Sequence, residues 1–150
     1  MSISDSIERE TLIDAPPAVV WNVITDPAQI RQWFCDGAEL EARPGGDGAF
    51  RWGDYTADLR VVQVEQPRLF AFRWLHPQGE EPRPGNSTLV EFTLTAEGDG
   101  TRLLVVESGL TATDWSDERK AELFESHTDG WQRHVADLTE YAGRRLASAR

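Results

Sequence analysis

The sequence predicts an α+β fold with an antiparallel sheet of about six to seven strands and one long C-terminal helix. Most of the chain consists of short segments with alternating apolar residues, separated by glycine- and proline-rich turns. Only the last thirty or so residues keep a helical period over a long stretch. Six residues form the apolar stripe of this helix: Phe124, His127, Trp131, Val135, Leu138 and Ala142. Because a helix that follows a run of strands buries such a stripe, we expect it to pack on the sheet.

The N-terminal part predicts one strand and two short helices. Residues 7–13 alternate as a strand, and the prolines at 16 and 17 end it. Proline suits the first turn of a helix, and Val19, Val20, Val23 and Ile24 follow at helical spacing. A second short helix is expected from Asp26-Pro27 through Trp33 and Phe34.

The middle of the chain predicts strands joined as hairpins, which implies antiparallel pairing. The predicted strands cover 37–41, the stretch around Phe50 and Trp52, 55–64, 68–75, 88–95 and 101–107. Three prolines and two glycines make 76–86 a loop, which we expect either to close over a cavity or to connect two strands in solvent. Ser116 is the expected N-cap of the long helix.

Composition excludes several classes of function. The 150 residues carry a net charge of −11 and no basic stripe, so neither nucleic acid nor an anionic membrane is an expected partner. No run approaches the about 20 apolar residues of a membrane span, and the first ten residues do not look like a signal peptide, so we expect a cytoplasmic protein. The single cysteine, Cys35, is expected to be a buried apolar residue. We expect no metal and no cofactor.

The order of several short motifs resembles a known superfamily. Those motifs are Ala15-Pro16, Val20-Trp21, Asp26-Pro27, Trp33, Gly46-x-Gly48-x-Phe50, Phe72-x-Trp74, Thr88-x-Val90-x-Phe92, His127, Gly130-Trp131, Leu138 and Tyr141. Together they are similar to the START-like helix-grip (SRPBCC) superfamily, which includes polyketide cyclases and Bet v 1 allergens. More narrowly, residues 1–150 resemble, as a single domain, the bacterial proteins similar to the C-terminal domain of the Hsp90 ATPase activator.

The resemblance implies a curved antiparallel sheet that grips the C-terminal helix, as in the helix-grip and Bet v 1-like folds. It also implies a cavity between the sheet and the helix, with a small apolar or amphipathic ligand within it. A homodimer is also possible by this resemblance. The eukaryotic activator has an additional N-terminal domain, whereas here the recognisable domain begins within the first ten residues. We therefore expect no chaperone partner.

Aromatic and polar side chains on the predicted inner surfaces are the candidate ligand contacts. They are Trp33, Phe50, Trp52, Phe72, Trp74, Phe92, Phe124, His127, Trp131, His134 and Leu138. The aromatic members either line a ligand site or fill the core, because both roles use large apolar rings. Arg51 and Arg73 alternate away from their aromatic neighbours, so we expect them in solvent; the reverse parity would let them clamp a carboxylate.

Three hypotheses of function follow. The leading one is a ligand-binding protein. The second is a cyclase- or hydrolase-type enzyme with His127 as general base, which requires that His127 face the cavity beside a carboxylate or a water. The third is a chaperone-related interaction module, which requires an exposed apolar patch and a filled interior. His127 and His134 lie about two helical turns apart and form a poor metal site by themselves.

Overall fold

The computed structural model describes residues 4–149, with side chains described as far as Arg145. Residues 1–3 and 150 of the predicted domain lie outside the described residues. The elements in chain order are β1 (Ile7–Ile13), α1 (Pro17–Thr25), α2 (Pro27–Trp33), β2 (Gly37–Leu40), β3 (Asp47–Trp52), β4 (Tyr55–Glu65), β5 (Leu69–Trp74), β6 (Thr88–Glu97), β7 (Gly100–Ser108) and α3 (Asp117–Ala149).

All seven strands form one antiparallel sheet in the order β1-β7-β6-β5-β4-β3-β2. Five of the six strand pairs are hairpins of consecutive strands, and the sixth places β1 beside β7, from Ile7 opposite Glu107 to Ile13 opposite Thr101. The register of β4 and β5 shifts between Val61 and Gln63, where an extra residue bends the strand. The predicted fold class, a curved sheet with one long helix and two short helices after the first strand, is therefore confirmed.

Helix α3 packs on the inner face of the sheet with the predicted stripe. Trp131, Val135, Leu138 and Ala142 are buried, whereas Phe124 and His127, nearer the N-terminal end, are half-buried. The hydroxyl of Ser116 accepts a hydrogen bond from the backbone N–H of Arg119 at 3.1 Å, which caps the helix as predicted.

Aromatic rings fill the middle of the space between the sheet and α3. Phe50, Phe72 and Phe92 come from three strands, and their side chains are almost completely buried. The remaining void among these rings and the side chains of α1 and α2 is only about 10 Å³. The open space of the helix–sheet interface therefore lies at one end and not in its centre.

Two details differ from the sequence expectations. The link between β7 and α3 contains a short 3-10 helix, Leu110–Ala112, which Gly109 begins in the left-handed backbone region. β1 keeps its predicted bounds, and the other strands with predicted bounds differ from them by one or two residues at an end, as strand ends usually do. None of the helices within 4–149 is long and apolar enough to cross a membrane.

Candidate functional site

The end of β7 places a carboxylate inside the protein. Along this strand Thr101, Leu103 and Val105 face inward, and the alternation of side chains puts Glu107 on the same face. Glu107 is 4% exposed, so its charge needs hydrogen-bond partners. Those partners come from three other elements.

Four side chains hydrogen-bond the two oxygens of Glu107. The indole Nε1–H of Trp131 donates to Oε1 at 2.8 Å, and Nδ1 of His127 lies 2.7 Å from the same oxygen. Oε2 accepts from the hydroxyl of Thr88 at 2.6 Å and from the indole of Trp74 at 3.1 Å. We call Glu107 and these four partners the Glu107 network.

The network fixes the ionisation state of its centre. An indole N–H can only donate, so both oxygens of Glu107 act as acceptors, which is the role of an ionised carboxylate. Burial by itself raises the pKa of Glu107. The hydrogen bond and the charge of His127, with the hydrogen bonds from Thr88 and Trp131, outweigh burial and hold this pKa below its ordinary value.

The same contacts fix the proton of His127. Because Oε1 of Glu107 is an acceptor, Nδ1 of His127 carries the hydrogen between them. In the neutral imidazole the lone pair is then on Nε2. Among the described residues, no group hydrogen-bonds this Nε2, and the side chain is 19% exposed.

His127 forms one wall of an open pocket of about 240 Å³ between α3 and the ends of β3, β4 and β5. We call it the α3 pocket. It is lined by Phe34, Trp52, Tyr55, Ala57, Trp74, Leu75, Ser126, His127, Gly130, Trp131, Arg133 and His134. The indoles of Trp74 and Trp131 thus face the pocket and also hydrogen-bond the buried carboxylate.

Phe34 is the central ring of the aromatic wall. It follows the last residue of α2, and its ring stacks on Trp131 with centroids 5.6 Å apart and on Trp74 with centroids 6.1 Å apart. Trp52 meets it edge-on at 5.1 Å and donates its indole N–H to the Phe34 carbonyl at 2.7 Å. This packing gives the pocket a rigid apolar floor.

His134 is the second imidazole of the pocket. Its ring lies edge-on to Phe34, with centroids 4.8 Å apart, and its buried Nδ1 has no hydrogen-bond partner among the described residues. Burial lowers the pKa of His134, although the backbone of Trp33 opposes this effect, so the neutral ring is favoured.

Leu75, at the rim of the α3 pocket, has a strained backbone. Its φ of 74° lies in the left-handed region, where a bulky residue costs of order 1 kcal/mol or more. It directly follows Trp74, so this turn of the chain sets where β5 ends and the pocket opens.

The structure separates the predicted contact residues into two groups. Trp52, Trp74, His127, Trp131 and His134 line the α3 pocket. The others do not reach it: Trp33, Phe50, Phe72, Phe92 and Leu138 are core residues, and half-buried Phe124 packs against the core. They lie outside the pocket because their strand and helix positions direct them toward the centre of the interface, which has no room for a ligand.

Other sequence candidates lie away from the pocket. Arg51 pairs with Glu39 at 3.0 Å on an exposed surface, and Arg73 contacts the hydroxyl of Ser87 at 3.3 Å, so neither faces the pocket. Cys35 is buried, and burial raises the pKa of its thiol to about 11. No cluster of three or more potential His, Cys, Asp or Glu metal ligands occurs in residues 4–149.

Sequence reasoning missed Glu107, Phe34 and Tyr55 as site residues. For Glu107 a signal was available, because period-two alternation from Leu103 and Val105 predicts that it faces inward. Phe34 follows a short helix and Tyr55 begins a strand, and neither position has a periodicity that predicts its direction.

Within residues 4–145, the large exposed apolar side chains do not form one patch on the outside of the sheet. The large ones are Leu12, Tyr55 and Val62. Leu12 is on β1 and Val62 is on β4, with three strands between them. The surface required by an interaction module is therefore not formed by these residues.

The fold resembles several solved structures. Protein MLL2253 of Mesorhizobium loti is 20% identical, with a TM-score of 0.77 over 93% of this chain and 97% of that one. The Aha1 dimer from Colwellia psychrerythraea is 15% identical, with a TM-score of 0.76 over 92% of this chain and 96% of that one. These two likenesses concern the fold alone.

A third structure is more similar in sequence. DynU16, a protein from the dynemicin biosynthetic locus, is 26% identical, with a TM-score of 0.73. The match covers 99% of this chain but 49% of DynU16, so this chain spans about half of that protein. A comparison with curated proteins gives no match.

The family model for Activator of Hsp90 ATPase homolog 1-like proteins matches residues 14–143, from the end of β1 to the last turns of α3. The match includes all of the α3 pocket and the Glu107 network. This protein therefore belongs to the Activator of Hsp90 ATPase homolog 1-like family.

Proposed function

We propose that this protein binds a small apolar or amphipathic molecule in the α3 pocket. The observation that carries the proposal is the pocket itself: an open space of about 240 Å³ with a floor of stacked aromatic rings and two imidazoles on one helix. Ligand sites typically combine apolar walls with a few placed polar groups. This volume is below the about 300–1,000 Å³ of drug-sized sites, so it suits a compact ligand or one end of a larger molecule.

The likeness to DynU16 supports a small-molecule role. That protein comes from a biosynthetic locus, and its similarity extends over nearly all of this chain. The apolar contribution to affinity is limited by the pocket size. Burial of about 300 Å² of apolar ligand surface gains about 7 kcal/mol, and association costs about 4 kcal/mol or more. Polar contacts must therefore add to the affinity of a tight ligand.

Native mass spectrometry of protein purified from its own host tests the proposal. We expect a retained mass that disappears on denaturation. A thermal-shift screen with naphthalene, 2-naphthol and decanoate supplies defined probes in the same experiment. No retained mass together with no shift from any probe contradicts the proposal.

Gly130→Leu provides a variant that blocks the pocket. Gly130 lines the pocket, and the nearest atom to an added Cβ is Cδ2 of His134 at 4.0 Å, so a leucine side chain enters open space. Gly143→Leu is the matched control on the same helix, because an added Cβ there meets nothing within 4 Å and Gly143 does not line the pocket. We expect Gly130→Leu alone to abolish the retained mass and the probe shifts.

The contact between His127 and Glu107 favours a second candidate function. An imidazole that lines a pocket and whose Nδ1–H is held by a carboxylate has the arrangement of a general base. A cyclase- or hydrolase-type reaction would use it to remove a proton from a bound substrate. If the retained molecule is turned over, we expect His127→Gln to lower kcat by about 100-fold or more while KM changes little.

A further inference from the structure

We propose that the α3 pocket selects ligands that present a hydroxyl donor on an aromatic ring, such as phenols, and that Nε2 of His127 accepts this hydrogen bond. This inference rests on the proposed function and names the class of molecule that the pocket takes. It follows from the direction of the donors around Glu107.

The first step is that His127 is locked in one orientation. Its Nδ1 is 2.7 Å from Oε1 of Glu107, and the same oxygen accepts from Trp131 at 2.8 Å. A flipped ring or the other tautomer would remove the donor from a buried carboxylate. The network therefore engages Nδ1 and leaves Nε2, the acceptor of the neutral imidazole, for a molecule in the pocket that His127 lines.

The second step is that the pocket beside His127 is lined by aromatic side chains. Phe34, Trp74 and Trp131 are stacked or tilted relative to one another, with centroids between 5.6 and 6.1 Å apart. The ring of His127 lies 5.7 Å from that of Trp74, so the acceptor nitrogen belongs to the same aromatic surface. An aromatic ligand that stacks here brings its ring substituents close to His127.

The third step is that an acceptor discriminates between ligands that share one ring system and differ in a donor group. A phenolic hydroxyl donates to Nε2, whereas the matching methyl ether has no donor and leaves the nitrogen unpaired. The unpaired polar group makes the ether the weaker ligand, as in other sites that read a hydroxyl group. We expect about a tenfold preference, equal to about 1.4 kcal/mol.

The test compares 2-naphthol with 2-methoxynaphthalene by titration calorimetry at about pH 8, with naphthalene as the smaller reference. We expect 2-naphthol to bind about tenfold more tightly than either of the other two. Binding of 2-naphthol should also shift the indole N–H resonances of Trp74 and Trp131, because both indoles share the carboxylate with His127. Equal affinities for the three probes overturn this inference but leave small-molecule binding intact.

Two variants of the pocket locate the acceptor. In His127→Phe the preference for 2-naphthol should fall to within about twofold, because the acceptor is gone. His134→Phe is the matched control, since it removes the other imidazole of the same pocket and leaves the Glu107 network unchanged. Loss of the preference in His134→Phe, with its retention in His127→Phe, assigns the acceptor to His134 and overturns the proposal.

Folding of the variants does not limit this test. The three-probe comparison in the unmodified protein needs no substitution and tests the preference for a hydroxyl donor. If none of the probes binds and no molecule is retained from the host, the proposed function fails together with this inference.

Discussion

Nδ1 of His127 lies 2.7 Å from Oε1 of Glu107 and connects the N-terminal third of α3 to the end of β7 across 20 residues of sequence. Glu107 is 4% exposed, whereas His127 lines an open pocket. The pair therefore joins a buried carboxylate by a hydrogen bond to an imidazole that a ligand in the pocket can reach. It stabilises the helix–sheet contact and also fixes the polar chemistry of the pocket.

Glu107→Gln should destabilise the protein by about 2–4 kcal/mol. The amide replaces one acceptor oxygen with an NH₂ group, and each oxygen of Glu107 now accepts from an indole N–H, so either orientation opposes two donors. Equilibrium unfolding in urea measures the change. Glu91→Gln, on the outer face of the neighbouring strand β6, should change the unfolding free energy by less than about 0.5 kcal/mol. Equal effects of the two substitutions would show that the network contributes little.

The Glu107 network should also make stability depend on pH in acid. Because the pKa of Glu107 in the folded protein is below the ordinary value of 4.5, the unfolded chain takes up this proton first as pH falls. The stabilisation is present above 4.5 and is lost as pH falls through the lower folded value. The difference in unfolding free energy between the unmodified protein and Glu107→Gln should therefore be constant near neutral pH and shrink below about pH 4.5. If the difference in unfolding free energy grows as the pH falls, folding raises the pKa of Glu107 and does not lower it.

Gly130→Ala should raise stability by about 0.5–1 kcal/mol. Glycine is costly inside a helix, and an added Cβ at this position has its nearest neighbour at 4.0 Å. Thermal unfolding measures the gain, and Gly143→Ala, also in open space on α3, should give a similar one. A loss of stability at position 130 but not at position 143 would mean that the pocket wall leaves no room for a Cβ atom at Gly130.

Cys35 should react slowly with thiol reagents while the protein is folded. Burial raises the pKa of its thiol from 9.0 to about 11, which lowers the thiolate fraction about 100-fold at neutral pH. Labelling with a chromogenic disulfide reagent in buffer and in denaturant measures the ratio of rates. Rates within about tenfold of each other would contradict the burial of this side chain.

Phe72→Ala should cost about 3–5 kcal/mol, because Phe72 is 1% exposed and packs against Phe50 and Trp74. Tyr55→Ala is the matched aromatic control: Tyr55 lines the pocket and is 56% exposed, so its loss should cost about 1 kcal/mol or less. Chemical denaturation of both variants distinguishes the core from the pocket wall. A small effect of Phe72→Ala would place it outside the core.

Local patterns predicted most of the fold. Each element was predicted to within a few residues from alternation in the strands, proline and glycine in the turns, and the stripe on the last helix. For example, β5 is expected at 68–75 and observed at Leu69–Trp74. These signals are local because the side-chain period of a strand or helix depends only on neighbouring residues. The inward direction of Glu107 was available from the same rule.

The sequence by itself therefore determined the sheet, the helix that packs on it and the separation of apolar from charged faces. Only the tertiary structure decided which inward side chains fill the core and which surround open space. Trp52 and Phe72 have similar sequence patterns, yet one lines the α3 pocket and the other is core. It also decided that donors from β5, β6 and α3 meet at Glu107, because strand register and helix docking bring together residues that are 19 to 33 positions apart.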